Sequence, residues 1–118
     1  MFRKKDFLTT TKLNKEIIVS EILRQIGVSP KLKGYEYLRK AILLTAKDSS
    51  LKYSMVKSVY KIIADEHNTK VYSVERAMRN AIEIAWDRCD VDIAEAYFGY
   101  TVDLVKGRPT NSEFISTI

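Results

Sequence analysis

The sequence has few of the residues that form disulfides, metal sites or membrane spans. It contains one cysteine, Cys89, and one histidine, His67, among 118 residues. An intramolecular disulfide or a structural zinc site needs more such residues than these. No segment approaches the run of about 18 apolar residues that spans a membrane, and no signal-peptide-like apolar run follows the basic residues 1–6. We therefore expect a soluble cytoplasmic protein that needs no metal or other cofactor.

Residue groupings typical of an active site are also missing. The sequence has no glycine-rich phosphate loop and no paired-carboxylate motif. Cys89 has neither a histidine nor a second cysteine near it to activate its thiol. His67 falls at the end of a predicted helix, where the helix dipole favours a partly charged imidazole, so a capping role is expected. We expect that the chain is not an enzyme.

Glycine and proline, which interrupt helices, are scarce, with four and two copies. Between them, apolar residues recur three or four positions apart, as in a helix, and do not alternate as in a strand. We therefore predict an all-α fold of about six helices that contains a helix-turn-helix. The predicted helices cover residues 14–26, 33–47, 54–67, 71–88, 91–98 and 111 onward.

Several helix ends have local signals. Asn14 is predicted to cap the first helix and Gly27 to end it. Thr110, with Glu113 three residues later, predicts a capping box at the start of the last helix. Residues 1–13 are expected to form a basic tail or linker before the folded domain.

Helical spacing also predicts which side of each helix faces the core. Residues at i, i+3 and i+4 share one face of a helix, so apolar residues at that spacing are expected to be buried. In the first and third predicted helices these residues are Ile17, Ile18, Ile22, Ile26, Val56, Val59, Tyr60 and Ile63.

The net charge of +5 is unevenly distributed along the chain. Residues 31–61 carry eight basic and two acidic side chains, whereas residues 62–95 carry four basic and eight acidic ones. This asymmetry suggests two surfaces with different partners, the basic one attracting a polyanion. Ordinary solvated charge explains the pattern equally well, so the charge alone does not decide between the two.

The third and fourth predicted helices, with a short break between them, have the spacing of a helix-turn-helix. Ala64 is small where two helices cross, and Asn68 tolerates the positive φ that such a turn requires. Val74 and Ala77 supply the inward side of the second helix. A helix-turn-helix places the first turns of its second helix in the major groove of DNA.

The outward residues of this second helix suit contacts with DNA. Arg76 and Arg79 can each donate two hydrogen bonds to guanine, and Glu75 can accept one from cytosine. Residues expected near phosphates are Lys70, Tyr72, Ser73 and Asn80, of which Asn80 also suits adenine. The alternative is that Glu75 and Arg79 form an ordinary surface pair four residues apart, because helical hairpins are common in proteins of many functions.

Three blocks of sequence resemble one family. Residues 74–86, VERAMRNAIEIAW, resemble the recognition helix of the master sporulation response regulators of endospore-forming Firmicutes, the stage 0 sporulation protein A family. Residues 26–39 are similar to the opening block of its C-terminal effector domain, and residues 98–115 to the closing block. The resemblance covers residues 13–118.

The resemblance implies a phosphorelay-controlled transcription factor. Its effector domain, here residues 14–118, would bind boxes of TGTCGAA type as a dimer on tandem or inverted pairs, activating some promoters and repressing others. Glu75, Arg76 and Arg79 match the base-contacting positions of the family. The sequence departs from the family pattern at Tyr72, Ser73 and Asn80, where a small hydroxyl residue, an arginine and a histidine are expected. The family's receiver domain, which binds a divalent metal ion, has no counterpart in these 118 residues.

The resemblance also implies a contact with the sigma factor of RNA polymerase, through the segment after the recognition helix. The matching residues are Ile93, Glu95, Phe98 and Val102. Independently, this region is acidic, which suits a basic partner better than DNA. The alternative is a solvated helix end with Phe98 in the core. We thus predict a sequence-specific binder of double-stranded DNA, with a helical protein-interaction module as the alternative.

Overall fold

The computed structural model describes the backbone of residues 4–88, 91–99 and 108–118, and the side chains of residues 14–88, 92–99 and 108–118. The chain is all-α, as predicted, with no strand in these described ranges. Its α-helices are α1 (Lys4–Ile26), α2 (Lys33–Lys47), α3 (Lys61–Glu66), α4 (Val71–Arg88), α5 (Val91–Phe98) and α6 (Asn111–Thr117). None of the helices in the described part of the chain is long and apolar enough to cross a membrane.

The two ends of α1 compare differently with the prediction. Asn14 lies inside the helix, so the predicted N-cap at this residue is wrong. The predicted end at Gly27 is confirmed, because this glycine has φ +97° and the Val28 N–H donates to the Leu23 carbonyl at 2.9 Å. This bond closes the helix with a left-handed residue, a conformation that glycine adopts at little cost.

The buried side of α1 is rotated relative to the prediction. Ile17 and Ile18 are 60% and 56% exposed, so their predicted burial is wrong. The core receives Val19 and Leu23, which were not predicted, together with Ile26, whose predicted burial is confirmed. These three residues lie at i, i+4 and i+7, so they also form a continuous stripe, one residue further round the helix.

The segment before α3 is helical but does not form a regular α-helix. A 3₁₀ helix over Ser49–Ser54 leads into a π-helix over Met55–Tyr60, and α3 follows directly. The wider π turn changes the side-chain register from that of an α-helix. Val56 is consequently 52% exposed, against the prediction, whereas the predicted burial of Val59, Tyr60 and Ile63 is confirmed.

The backbones of α2 and α4 come close together where the two helices cross. A Cβ atom built on Gly34 of α2 would lie 2.2 Å from the carbonyl oxygen of Ala77 and 2.7 Å from the Cβ of Ala81. Small residues on both helices therefore allow the backbones to meet. This contact sets the distance between α2 and α4.

Aromatic rings join the last three helices. The ring of Phe98, on α5, lies 5.4 Å from that of Trp86 on α4 and 5.3 Å from that of Phe114 on α6. Both phenylalanines are fully buried. The predicted capping box of α6 is confirmed, with the Glu113 N–H donating to Thr110 Oγ1 at 3.2 Å and the Thr110 N–H donating to Glu113 Oε1 at 3.0 Å.

Candidate nucleic-acid interface

The turn between α3 and α4 has the geometry that a helix-turn-helix requires. Asn68 adopts φ 51°, which confirms the positive φ predicted from its type. The Thr69 N–H donates to the Ala64 carbonyl at 2.9 Å, so α3 ends in a left-handed cap. Ala64 is buried, and His67 terminates α3 with its ring 5.0 Å from that of Tyr37. The chain therefore leaves α3 and enters α4 through a compact, locally specified turn.

The buried side of α4 determines which of its residues face outward. Its core-facing residues lie at helical spacing: Val74, Met78, Ala81, Ile82 and Ala85. Because this stripe packs on the core, residues half a turn away are held at the surface. Arg76 and Arg79 are both exposed there, as predicted for residues that contact a partner.

Glu75 and Arg79 lie at the edge of a cleft between α4, the π-helix and the start of α6. The cleft has a volume of about 560 Å³ and is also lined by Val56, Tyr60 and Thr110. Glu75 is half-buried and Arg79 exposed. The ion pairs of the described residues do not include one between Glu75 and Arg79. The Arg79 guanidinium is therefore not occupied by that carboxylate.

The floor of this cleft holds a buried phenol. Tyr60 is 2% exposed, and its hydroxyl makes no hydrogen bond of normal geometry within the described part of the chain. Burial raises the pKa of Tyr60 above its usual value, and the nearby Ser112 hydroxyl offsets this only in part. Tyr60 is therefore neutral at physiological pH and adds no charge beside Arg79.

Of the residues predicted to contact phosphates, Lys70, Tyr72 and Ser73 lie at the beginning of α4, and Asn80 lies in its middle. Lys70, Tyr72, Ser73 and Asn80 are all exposed, and Tyr72 is 68% exposed. The first turn of α4 carries no acidic residue, so the positive end of its helix dipole is not neutralised by a neighbouring carboxylate. Such a helix start favours an anion.

The charge on the outward face of α4 changes from positive to negative along the helix. Arg76 and Arg79 lie in its first half, and Glu83 and Asp87 follow on the same side at helical spacing. Arg108 Nη2 donates to Glu83 Oε1 at 2.8 Å, so one of these carboxylates is paired. The geometry suits a helix whose first half approaches an anionic partner and whose second half does not.

The structure describes three of the four residues predicted to contact a sigma factor. Glu95 is exposed and Ile93 is half-buried on α5. Phe98 is fully buried against Trp86 and Phe114, so its ring offers no surface to a partner in this conformation and it serves the core. Val102 lies outside the described residues.

Two polar residues near α4 were not singled out in the sequence as part of the site. Asn111 Nδ2 donates to the backbone carbonyl of Glu75 at 2.9 Å, and Arg108 pairs with Glu83. No sequence pattern indicates a contact between a side chain and a backbone carbonyl 36 residues away. Within the described ranges, no group of three or more His, Cys, Asp or Glu residues could hold a metal ion.

A comparison with protein families identifies the wider context of this site. The model of the family described as "Sporulation initiation factor Spo0A C terminal" matches residues 19–118. The match begins within α1 and includes α3, the Asn68 turn, α4 and α6. The resemblance drawn from three sequence blocks is therefore confirmed.

Proposed function

Because the chain belongs to the family of Spo0A C-terminal domains, which are DNA-binding domains of a response regulator that controls sporulation, we propose that it recognises DNA boxes of TGTCGAA type by direct major-groove readout. The observation that carries this proposal is the exposure of Arg76 and Arg79 on the first half of α4, directly after the Asn68 turn. A major groove about 12 Å wide admits one α-helix.

Each proposed base contact follows from the chemistry of the side chain. Arg76 and Arg79 would each donate two hydrogen bonds to O6 and N7 of a guanine. Glu75 would accept a hydrogen bond from a cytosine amino group. The half-burial of Glu75 and its place beside Arg79 support a shared role for these two residues at the edge of the groove.

The proposed phosphate contacts come from Lys70, Tyr72, Ser73 and Asn80. We expect Lys70→Gln to weaken binding to every duplex by a similar factor, because a phosphate contact carries no base information. The slope of log affinity against log salt concentration should become shallower by about 1. Fluorescence-anisotropy titrations at several salt concentrations measure both quantities. A loss confined to the box duplex would instead place Lys70 among the base readers.

The regulatory part of the proposal rests on the acidic surface beyond α4. Glu95 and Ile93 on α5 would contact a basic surface of the RNA polymerase sigma factor, with Phe98 supporting α5 from the core and Val102 as a further predicted contact. Two copies of the domain would bind tandem or inverted boxes. Depending on the promoter, the bound domain would activate or repress transcription in the cytoplasm.

A helical protein-interaction module is the second candidate function. The exposed isoleucines Ile17 and Ile18 of α1 favour it, since adjacent exposed apolar residues suit a protein partner. This function predicts no preference among DNA sequences.

The test of the proposal is the binding of the unmodified chain to a duplex with a TGTCGAA box and to a scrambled duplex of the same composition. Fluorescence anisotropy at two salt concentrations separates base readout from general attraction to DNA. We expect a preference of about tenfold or more for the box at both salt concentrations. Equal, steeply salt-dependent binding to both duplexes would contradict the proposal.

A further inference from the structure

A short segment leading into α6, residues 108–111, is fastened to α4 at two points. Asn111 Nδ2 donates to the Glu75 carbonyl at 2.9 Å, and Arg108 Nη2 donates to Glu83 Oε1 at 2.8 Å. Glu75 and Glu83 are eight residues apart, which corresponds to about 12 Å along a helix. The 108–111 segment therefore runs beside two turns of α4.

Arg79 lies midway between these two attachment points. It shares the cleft wall with Pro109 and Thr110, so the segment forms one side of the space in which the guanidinium can move. The attachment at Glu75 is also close to Arg79 along the backbone. In an α-helix, the carbonyl of residue 75 accepts the N–H of residue 79, and its second lone pair is free for Asn111.

The segment itself is held firmly by the core. Pro109 is buried, Thr110 is fixed by its capping box with Glu113, and Phe114 is fully buried in the first turns of α6. Asn111, partly buried at the start of α6, thus projects its amide from a rigid base. A rigid donor can hold α4 in one rotation about its axis.

We propose that Asn111 is a positioning residue for base readout, which holds the Glu75–Arg79 turn of α4 so that Arg79 reaches its guanine in hydrogen-bonding geometry. This inference rests on the proposed DNA-binding function. Two parallel hydrogen bonds to one base edge tolerate little rotation of the helix, so a preorganised turn increases discrimination between bases more than it increases general affinity for DNA.

The test compares two substitutions of Asn111 with a charge-matched control. Asn111→Asp keeps the size of the side chain but removes the donor, while Asn111→Ala removes the donor without adding charge. Asn14→Asp makes the same change of residue and charge at an exposed position of α1 that does not line the cleft. For each variant, anisotropy gives the ratio of affinities for the box and for duplexes with single base-pair changes, and urea unfolding gives the stability.

In both Asn111 variants, the ratio of affinities for the box and for the duplex changed at the base pair read by Arg79 should fall about fivefold. This fall is equivalent to the loss of one hydrogen bond. The ratios at the other base pairs, and all ratios in Asn14→Asp, should stay near those of the unmodified chain. These ratios are measured where urea unfolding shows each variant fully folded. An unchanged ratio in both Asn111 variants, or an equal loss in Asn14→Asp, would overturn the inference. A lack of box preference in the unmodified chain would instead contradict the proposed function.

Discussion

Replacing Arg76 or Arg79 by alanine should remove most of the preference for the proposed TGTCGAA-type box. A guanidinium that donates two hydrogen bonds to one guanine contributes about 1–3 kcal/mol of discrimination against the wrong base, or roughly 5- to 150-fold in affinity. Both side chains are exposed on the first half of α4. We expect the loss in each variant to be concentrated at one base pair, measured by anisotropy with duplexes changed one base pair at a time.

The control for this prediction removes the same charge from another surface. Arg24 is exposed on α1, where its guanidinium pairs with Glu21. Arg24→Ala lowers the net charge as much as Arg76→Ala, so any general weakening through charge occurs in both. Only the α4 variants should lose selectivity. If Arg76→Ala and Arg24→Ala change the affinities for box and scrambled duplexes alike, the assignment of Arg76 as a base reader is wrong.

Gly34→Ala should destabilise the domain by crowding the crossing of α2 and α4. The added Cβ would lie 2.2 Å from the Ala77 carbonyl oxygen, and a backbone atom cannot move aside as a flexible side chain can. Separating α2 from α4 disturbs packing at the centre of the domain, at a cost of about 1–3 kcal/mol or more. Urea unfolding followed by circular dichroism measures this loss.

The sign of the Gly34 result separates packing from helix propensity. Alanine favours a helix by about 1 kcal/mol relative to glycine, so propensity alone predicts that Gly34→Ala stabilises the domain. Gly27→Ala is the matched control, because a Cβ there meets nothing within 4 Å and the cost comes only from its φ of +97°. We expect that variant to lose about 1–2 kcal/mol. A Gly34→Ala variant as stable as the unmodified chain would contradict the close crossing.

Local signals in the sequence were sufficient for the turns and for most helix bounds. Gly27 and Asn68 both adopt the positive φ expected at such positions, because glycine and asparagine reach this conformation at a lower free-energy cost than other residues do. The predicted bounds of α2, α4 and α5 agree with the structure, since each helix has a regular apolar stripe and clear ends. These features depend on neighbours within a few residues.

Helix faces were harder to predict where the period of the helix changes. The burial expected for Val56 assumed an α-helix, but a π-helix occupies Met55–Tyr60 and shifts the register. Ile17 and Ile18 compete with Val19 and Leu23 for the core, and both sets are apolar at helical spacing. The sequence of α1 alone does not determine which of two adjacent apolar stripes is buried, because burial depends on the side chains of α2 that pack against it.

Contacts between distant parts of the chain were beyond sequence reasoning. The bond from Asn111 to the Glu75 carbonyl and the pair of Arg108 with Glu83 join residues far apart in sequence. The burial of Phe98 follows from rings on α4 and α6 that meet it only in the folded domain. The residues proposed to read DNA were identifiable because they follow a recognisable turn, whereas the groups that hold them were not.

The most direct test of base readout replaces each guanine of the box in turn by 7-deazaguanine. This base pairs normally but lacks the N7 acceptor in the major groove, so it removes one partner of an arginine without changing the sequence. We predict that the unmodified chain loses affinity at the guanines contacted by Arg76 and Arg79, and that the corresponding alanine variant shows no further loss at its own guanine. Equal affinity of the unmodified chain for every substituted box would contradict direct readout by α4.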